Sequence, residues 1–227
     1  MKIIHEFWML ILFQITFAAF GYFIQSLFQL AYDADLALRA MRMCIGYVLP
    51  VVWFYRRHGL SLQKLGVTLP RKNTLLNFLC GILLYATAGL IFIKYEIFFA
   101  GWRREFNPFI TLPLIFIMVS ITDFWTRGFI LQFLAEKNSK NVGIITQNAI
   151  WFIIHWYEIL LIQEYTGVAT AIIMTLFLSI GGDLLTLRSK QISGLMIGHF
   201  VLNLLIIYYA NNSIPSAISA LLNFIPL

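Results

Sequence analysis

Charged residues are scarce in this 227-residue chain, in which Asp, Glu, Lys and Arg together make up 11% of the positions. Soluble domains carry about 25% charged residues. The shortfall excludes a soluble globular domain, and the apolar residues, which form 60% of the chain, come in long blocks. The sequence therefore predicts an all-α, polytopic transmembrane helix bundle, with residues 1–227 forming a single integral membrane domain.

Cysteine is nearly absent, which excludes a disulfide framework. Cys44 and Cys80 both lie in apolar blocks and are predicted to be buried thiols. No CxxC pair and no zinc-finger spacing of Cys and His occurs. No basic run alternates with aromatic residues as in nucleic-acid-binding proteins. We therefore assign the net charge of +6 to cytoplasmic loops beside anionic lipid, and expect membrane lipid but no nucleic acid as a partner.

Apolar blocks that can cross a bilayer recur along the whole chain. A spanning helix needs about 20 predominantly apolar residues. A signal peptide has an apolar core of about 7–15 residues, so the longer first block predicts a retained transmembrane helix. Seven or eight spans are predicted, with eight favoured, at 7–30, 38–55, 75–100, 109–135, 142–163, 168–187, 192–210 and, as a shorter candidate with two prolines, 213–227.

Basic residues in the loops predict the orientation of the bundle. Cytoplasmic loops carry an excess of Lys and Arg. Placing the loop 55–73 in the cytoplasm puts ten basic residues on that side and five on the other, with Arg127 inside a span. The N-terminus is then cytoplasmic, as is the C-terminus if there are eight spans. The apolar composition favours a prokaryotic plasma membrane.

Polar side chains at membrane depth mark the candidate functional positions. A charged group at the bilayer centre costs about 2.5–3.5 kcal/mol, so such residues usually face the bundle interior and have a function. Three predicted spans carry five positions of this kind, namely Asp123, Arg127, His155, His199 and Asn203.

Each of these positions has a structural explanation when it is taken alone. Asp123 and Arg127 share a helix face at a spacing of four and predict an ion pair. His199 and Asn203 have the same spacing and would join helices by hydrogen bonds. Taken together, a carboxylate, a guanidinium, two imidazoles and an amide can activate water and hold an oxyanion.

A metal site is the other chemistry that these residues allow. Asp123, His155 and His199 would be the candidate ligands, because two imidazoles and a carboxylate can bind a transition metal. The HExxH spacing of zinc proteases does not occur in the chain. We therefore predict no cofactor and no bound metal.

Three short motifs resemble those of the CAAX-protease and bacteriocin-processing family, also called CPBP or Abi, which are polytopic intramembrane proteases. "TDFWTR" (122–127) is similar to the family's EExxxR, "WFIIH" (151–155) to FxxxH, and "HFVLN" (199–203) to HxxxN. The resemblance covers a core of about residues 60–205. It implies a catalytic site made of Thr122, Asp123, Arg127, His155, His199 and Asn203.

The first motif departs from the family pattern, with Thr122 and Asp123 in place of two glutamates. In the family the first glutamate is usually assigned as the base that activates water, and a threonine cannot do this at neutral pH. Asp123 would instead activate water directly or through Thr122, with Arg127 orienting it. The resemblance further implies that His155 assists proton transfer. The oxyanion would be stabilised by His199 and Asn203.

These residues leave three functional hypotheses open. The first is an intramembrane endopeptidase that cleaves membrane-associated or lipidated peptides and proteins. The second is a catalytically disabled relative that acts as a membrane scaffold, partner-binding or immunity protein. The third is a proton-coupled carrier in which Asp123 and the two histidines form a relay. The half-helix signature of inverted-repeat transporters, which would favour the carrier, does not occur.

Overall fold

A computed structural model describes residues 2–28, 30–94 and 107–210 of the chain. These residues form eight α-helices and one 3₁₀ turn, Leu62–Leu65, and contain no strand. The predicted all-helical architecture is therefore confirmed over this part of the chain. The helices are α1 (Lys2–Ser26), α2 (Tyr32–Arg57), α3 (Leu75–Lys94), α4 (Pro108–Lys137), α5 (Lys140–Ile154), α6 (Trp156–Thr166), α7 (Val168–Ser189) and α8 (Ser193–Ala210).

Five of the helices in the described ranges are long and apolar enough to cross a membrane, namely α1, α2, α3, α4 and α7. The predicted span 142–163 is not one straight helix, because α5 and α6 meet at His155 with a bend of 69°. Counting this pair as one crossing gives six. The apolar part of α8, Ser193–Tyr208, is shorter than a full span. The shorter candidate at 213–227 lies outside the described residues, so the count of seven or eight stays a prediction.

An aromatic cluster joins α1, α2 and α4. Phe7 of α1 stacks on Phe133 of α4 with ring centroids 4.6 Å apart, and Phe54 of α2 meets the same ring edge-on at 5.4 Å. Phe129 completes the cluster, and all four side chains are buried. Aromatic pairs contribute about 0.5–1.5 kcal/mol beyond the area that they bury. This cluster therefore fixes α1 against the helix that carries the first motif.

Helix α4 contains a π-helical segment, Phe124–Leu131, which begins directly after Asp123 and includes Arg127. All eight of its residues are buried. π-helical turns are rare and occur often at functional sites, because the wider turn re-aims the side chains. The sequence analysis predicted an uninterrupted helix here, so the change in helix type is a structural finding.

Close backbone contact between α3 and α8 depends on glycine. A Cβ atom placed on Gly198 would lie 2.5 Å from the carbonyl oxygen of Gly81 and 2.9 Å from Cα of Ile82. Both obstructing atoms belong to the backbone of α3 and cannot rotate away. Small residues allow this kind of approach between membrane helices, where it supplies much of the packing energy.

Gly198→Ala is therefore expected to lower the free energy of unfolding by about 1–3 kcal/mol, since an overpacked helix contact must separate. Gly181→Ala on α7 is the matched control, because its Cβ would meet only the flexible end of Leu84 at 3.3 Å. Thermal unfolding of both variants in detergent checks the prediction. An unchanged melting temperature for Gly198→Ala would show that α3 and α8 are not in close contact.

The N-terminal segment and three basic segments lie at one end of the bundle. Lys64 in the loop after α2 pairs with Glu136 near the end of α4 at 2.7 Å. The N–H of Ile192, after α7, donates to the carbonyl of Gly66 at 3.0 Å. Glu6 of α1 pairs with Arg57 at 3.2 Å. The loops that the charge count placed on a common side are thus neighbours in space, while the assignment of that side to the cytoplasm stays a prediction.

Candidate active site

Asp123 links the first and third motifs. One carboxylate oxygen, Oδ1, accepts a hydrogen bond from Nη1 of Arg127, and the other, Oδ2, lies 3.1 Å from Nδ1 of His199. The side chains of Asp123 and Arg127 are completely buried. An ionised carboxylate can only accept hydrogen bonds, so the proton of this contact belongs to Nδ1 of His199. The predicted ion pair is present, and it also orients an imidazole from α8.

Arg127 has a partner on almost every side. Its Nη1 donates to the Tyr85 hydroxyl at 3.1 Å, and its Nη2 lies 3.4 Å from the carbonyl oxygens of Leu178 and Ser179. The guanidinium carbon stands 4.2 Å from the ring centroid of Trp151, a cation–π distance. These contacts come from α3, α5 and α7, so one buried side chain on α4 joins four helices.

Asp183 of α7 is a second buried carboxylate beside Arg127, and the sequence analysis missed it. Its Oδ1 lies 3.3 Å from Nε of Arg127, an ion pair without the alignment of a good hydrogen bond. Its Oδ2 accepts from Nδ2 of Asn148 at 2.8 Å. A carboxylate within the apolar block 168–187 was the signal that could have identified it, as it identified Asp123. Gly182 provides the space for the guanidinium, because a Cβ atom at this position would lie 2.6 Å from Nε of Arg127.

His155 of the second motif lies at the junction of α5 and α6. Its ring stacks on Trp151 with centroids 4.0 Å apart, and its Nδ1 lies 3.0 Å from the Trp151 carbonyl oxygen. The His155 and His199 ring centroids are 6.3 Å apart. Two groups at this separation can reach one another through a single water molecule or a substrate atom. The break in the helix therefore brings the second motif to the other two.

Tyr85 of α3 is a further member of the site that the sequence did not predict. Its ring lies parallel to that of His199, with centroids 4.9 Å apart and an interplanar angle of 4°. Its hydroxyl accepts the hydrogen bond from Arg127. Tyr85 therefore restricts both the ring plane of His199 and the position of the guanidinium. No motif surrounds Tyr85 in the sequence, so a tyrosine in an apolar block gave no signal.

Two of the predicted residues are bonded to their own helices. The Thr122 hydroxyl donates to the Met118 carbonyl at 3.0 Å, and the Asn203 amide donates to the His199 carbonyl at 2.9 Å. The structure thus brings together Asp123, Arg127, His155 and His199. Thr122 and Asn203 stay on the same two helices, α4 and α8, one residue and one helical turn from the cluster.

The described residues contain no group of three or more His, Cys, Asp or Glu side chains arranged to hold a metal ion. Asp123, His155 and His199, the candidate ligands from the sequence, are instead engaged with protein groups. Asp123 has Arg127 and His199 as partners, and Nδ1 of His155 faces a carbonyl oxygen.

An apolar cavity of about 450 Å³ adjoins the same stretch of α4. It lies among α2, the loop after it, α4 and α8. Ile121, directly before the first motif, and Phe124, within it, form part of its wall, but none of the six predicted site residues does. Other parts of the wall come from Val48, Val52, Leu62, Gln63, Leu65, Val67, Ser120 and Met196.

In a comparison with known protein families, residues 105–205 match the Rce1-like type II CAAX prenyl endopeptidases. This stretch includes all three motifs and the four residues that the structure brings together. The match confirms the resemblance to the CAAX-protease family that the motifs indicated. No curated protein and no solved structure is significantly similar to the chain.

Proposed function

We propose that the protein is an intramembrane endopeptidase that hydrolyses membrane-associated or lipidated peptides and proteins with an activated water. One observation carries the proposal: residues of all three motifs meet in a buried cluster near the middle of the long helix α4. The similarity of residues 105–205 to CAAX prenyl endopeptidases supports the reaction class.

Asp123 and Arg127 would set the position and charge of His199. Both oxygens of Asp123 already have partners, and its side chain has no exposed surface, which favours a positioning role over direct contact with water. A carboxylate at Nδ1 stabilises the protonated imidazole, whose Nε2 can then donate to the oxyanion of the tetrahedral intermediate. The Asn203 amide, one turn along α8, would add a second donor by leaving its own helix carbonyl.

His155 would take part in proton transfer. A proton on Nδ1 is satisfied by the Trp151 carbonyl oxygen, which leaves Nε2 of the neutral ring as an acceptor. The ring is held by stacking on Trp151 and lies across a gap of 6.3 Å from His199. A scissile peptide bond between the two rings would have a proton acceptor on one side and an oxyanion donor on the other. Thr122 would contribute packing rather than acid–base chemistry.

The apolar cavity beside the first motif supports a lipidated or otherwise apolar substrate. Ligand sites commonly have volumes of about 300–1,000 Å³ and mainly hydrophobic walls. The cavity of about 450 Å³ falls within this range, and its lining is almost entirely apolar. A prokaryotic plasma membrane follows from the apolar composition, and a cytoplasmic N-terminus from the distribution of basic loops.

The test of this function is cleavage of quenched fluorescent membrane peptides, with and without a prenyl group, by purified protein in liposomes. Wild-type protein is expected to cleave at least one class, and the double variant His155→Ala with His199→Ala is expected to be inactive. A metal chelator added to the active sample tests the metal alternative.

Inert wild-type protein would contradict the proposal. The double variant Thr122→Glu with Asp123→Glu then distinguishes the remaining hypotheses. Activity gained by this variant alone would identify the natural chain as a disabled relative with a scaffold or partner-binding role. A pH-dependent proton flux in liposomes, without cleavage, would favour the carrier.

A further inference from the structure

Hydrolysis by an activated water needs a proton acceptor that touches the water, and carboxylates commonly serve in this role. None of the carboxylates or hydroxyls around Arg127 is free to do so. Asp123 has hydrogen-bond partners at both oxygens, whereas Asp183 has one at Oδ2 and is held at Oδ1 by its ion pair with Arg127. The Thr122 hydroxyl donates within its own helix. The acceptor must therefore lie on the side of His155, where it is either Nε2 of that ring or a carboxylate next to it.

Glu158 is a carboxylate one helical turn beyond His155. It lies in the first turn of α6, for which His155 is the N-terminal cap residue. Positions three apart on a helix share a face, so Glu158 lies on the side of α6 that carries His155. The neighbouring residues Ile159 and Ile162 are buried in one hydrophobic cluster with Leu202 of α8, so this face of α6 points into the bundle.

The environment of Glu158 fits a reactive carboxylate. Its Oε2 atom is buried and accepts no hydrogen bond from the described residues. Glu158 is within the range of charge–charge interaction with His199 of α8 and with Arg39 of α2. A carboxylate in the first turn of a helix is also stabilised by the helix dipole. A buried oxygen without a partner is costly in a folded protein, which calls for a functional explanation.

The usual capping-box interaction of a glutamate at this helix position does not account for Glu158. A glutamate at the third position of a helix often caps it by accepting from the backbone N–H of the cap residue. Here the His155 N–H already donates to the Trp151 carbonyl at 3.0 Å. The usual capping interaction is therefore occupied, and the Glu158 carboxylate instead faces its own backbone N–H.

We infer that Glu158 is the catalytic base of the proposed protease, taking over the role that Thr122 cannot perform. The inference rests on the proposed function. Glu158 Oε2 removes a proton from a water held beside His155 while the water oxygen forms a bond to the scissile carbonyl carbon. The resulting oxyanion is stabilised by the donor on Nε2 of His199. The carbon–nitrogen bond then breaks, and the leaving nitrogen takes the proton from Glu158, which restores the carboxylate and releases an acid and an amine.

The experiment compares Glu158→Gln with Glu164→Gln, an exposed glutamate on the same helix, in the liposome cleavage assay. Glu158→Gln is expected to lower kcat by about 10²–10⁴-fold, the usual contribution of a general base, with little change in KM. Glu164→Gln should have the same kcat and KM as the wild-type protein. Formate supplied to Glu158→Ala is expected to restore part of the activity, because a small carboxylate can occupy the vacated space, whereas a structural role would not respond to formate.

The outcomes separate this inference from the proposed function. Active wild type together with an active Glu158→Gln overturns the catalytic role of Glu158 and leaves the protease proposal standing. Activity that is lost in Glu158→Ala and is not restored by formate also overturns the role. Inert wild-type protein overturns both proposals. Melting temperatures of all the variants are measured in parallel, and a loss of activity that follows a lowered melting temperature counts against catalysis.

Discussion

Arg127→Ala is expected to lower the free energy of unfolding by about 3–5 kcal/mol, the cost typical of removing one partner from a buried ion pair. The substitution leaves two buried carboxylates, Asp123 and Asp183, without the guanidinium that lies between them. It also removes the donor to the Tyr85 hydroxyl and the cation that stacks on Trp151. Because these partners lie on four helices, the loss should loosen the whole site rather than α4 alone.

Thermal and denaturant unfolding in detergent measures this effect. Arg57→Ala is the matched control, since Arg57 pairs with Glu6 at 3.2 Å but its side chain is half exposed. Exposed pairs contribute about 0.2–1 kcal/mol, so this variant should melt close to wild type. The melting temperature of Arg127→Lys should lie between those of the two alanine variants, because lysine retains the charge but not the planar guanidinium with its paired donors. Equal melting temperatures of Arg127→Ala and Arg57→Ala would contradict the predicted contribution of Arg127 to stability.

Asp123→Asn is expected to lower kcat by about 10²-fold or more, the loss that accompanies a misplacement of about 1 Å in an active site. The amide has only one acceptor oxygen, so it cannot accept from both Arg127 and His199. Its NH₂ group would instead face Nδ1 of His199, which favours the other imidazole tautomer or a rotated ring. The proton would then lie on Nε2 of a neutral ring that has lost its counter-charge, so the proposed oxyanion donor would be weaker or, after rotation of the ring, misdirected.

The cleavage assay in liposomes tests this prediction, with Asp33→Asn as its control. Asp33 of α2 accepts a hydrogen bond from Thr111 of α4 at 2.5 Å, at some distance along α4 from Asp123. The control makes the same chemical change in a polar contact to the same helix. If Asp123→Asn stays folded and cleaves as fast as Asp33→Asn, the carboxylate does not position His199 for catalysis.

The convergence of the motifs was predictable, because exposing a charged side chain to lipid costs free energy. A charge within an apolar block must face the bundle interior, and a spacing of four puts Asp123 and Arg127 on one face. The same reasoning, applied to Asp183, would have extended the site to α7. It could not have identified Tyr85, because tyrosine is common in apolar helices, and its role comes from stacking that depends on the packing of α3 against α8.

Other features could not be read from the sequence because they arise from packing. The helices are apolar on all sides, so hydrophobic periodicity does not distinguish the face toward lipid from the face toward the interior. The 69° bend at His155 has no Pro or Gly near it, and the single Gly128 within the π-helical segment does not distinguish that segment from an ordinary α-helix. For the same reason the sequence did not show that Thr122 and Asn203 bond to their own helices.

The ion pair within α4 also bears on how the protein enters the membrane. Asp123 and Arg127 lie one turn apart on the same helix, so α4 carries its own counter-charge and can enter the bilayer with this pair neutralised. Asp183 has no such partner one turn away on α7, where positions 179 and 187 are Ser and Leu. Since α4 precedes α7 in the chain, the guanidinium is already in place when Asp183 arrives. The order of the helices thus lowers the cost of inserting the second carboxylate.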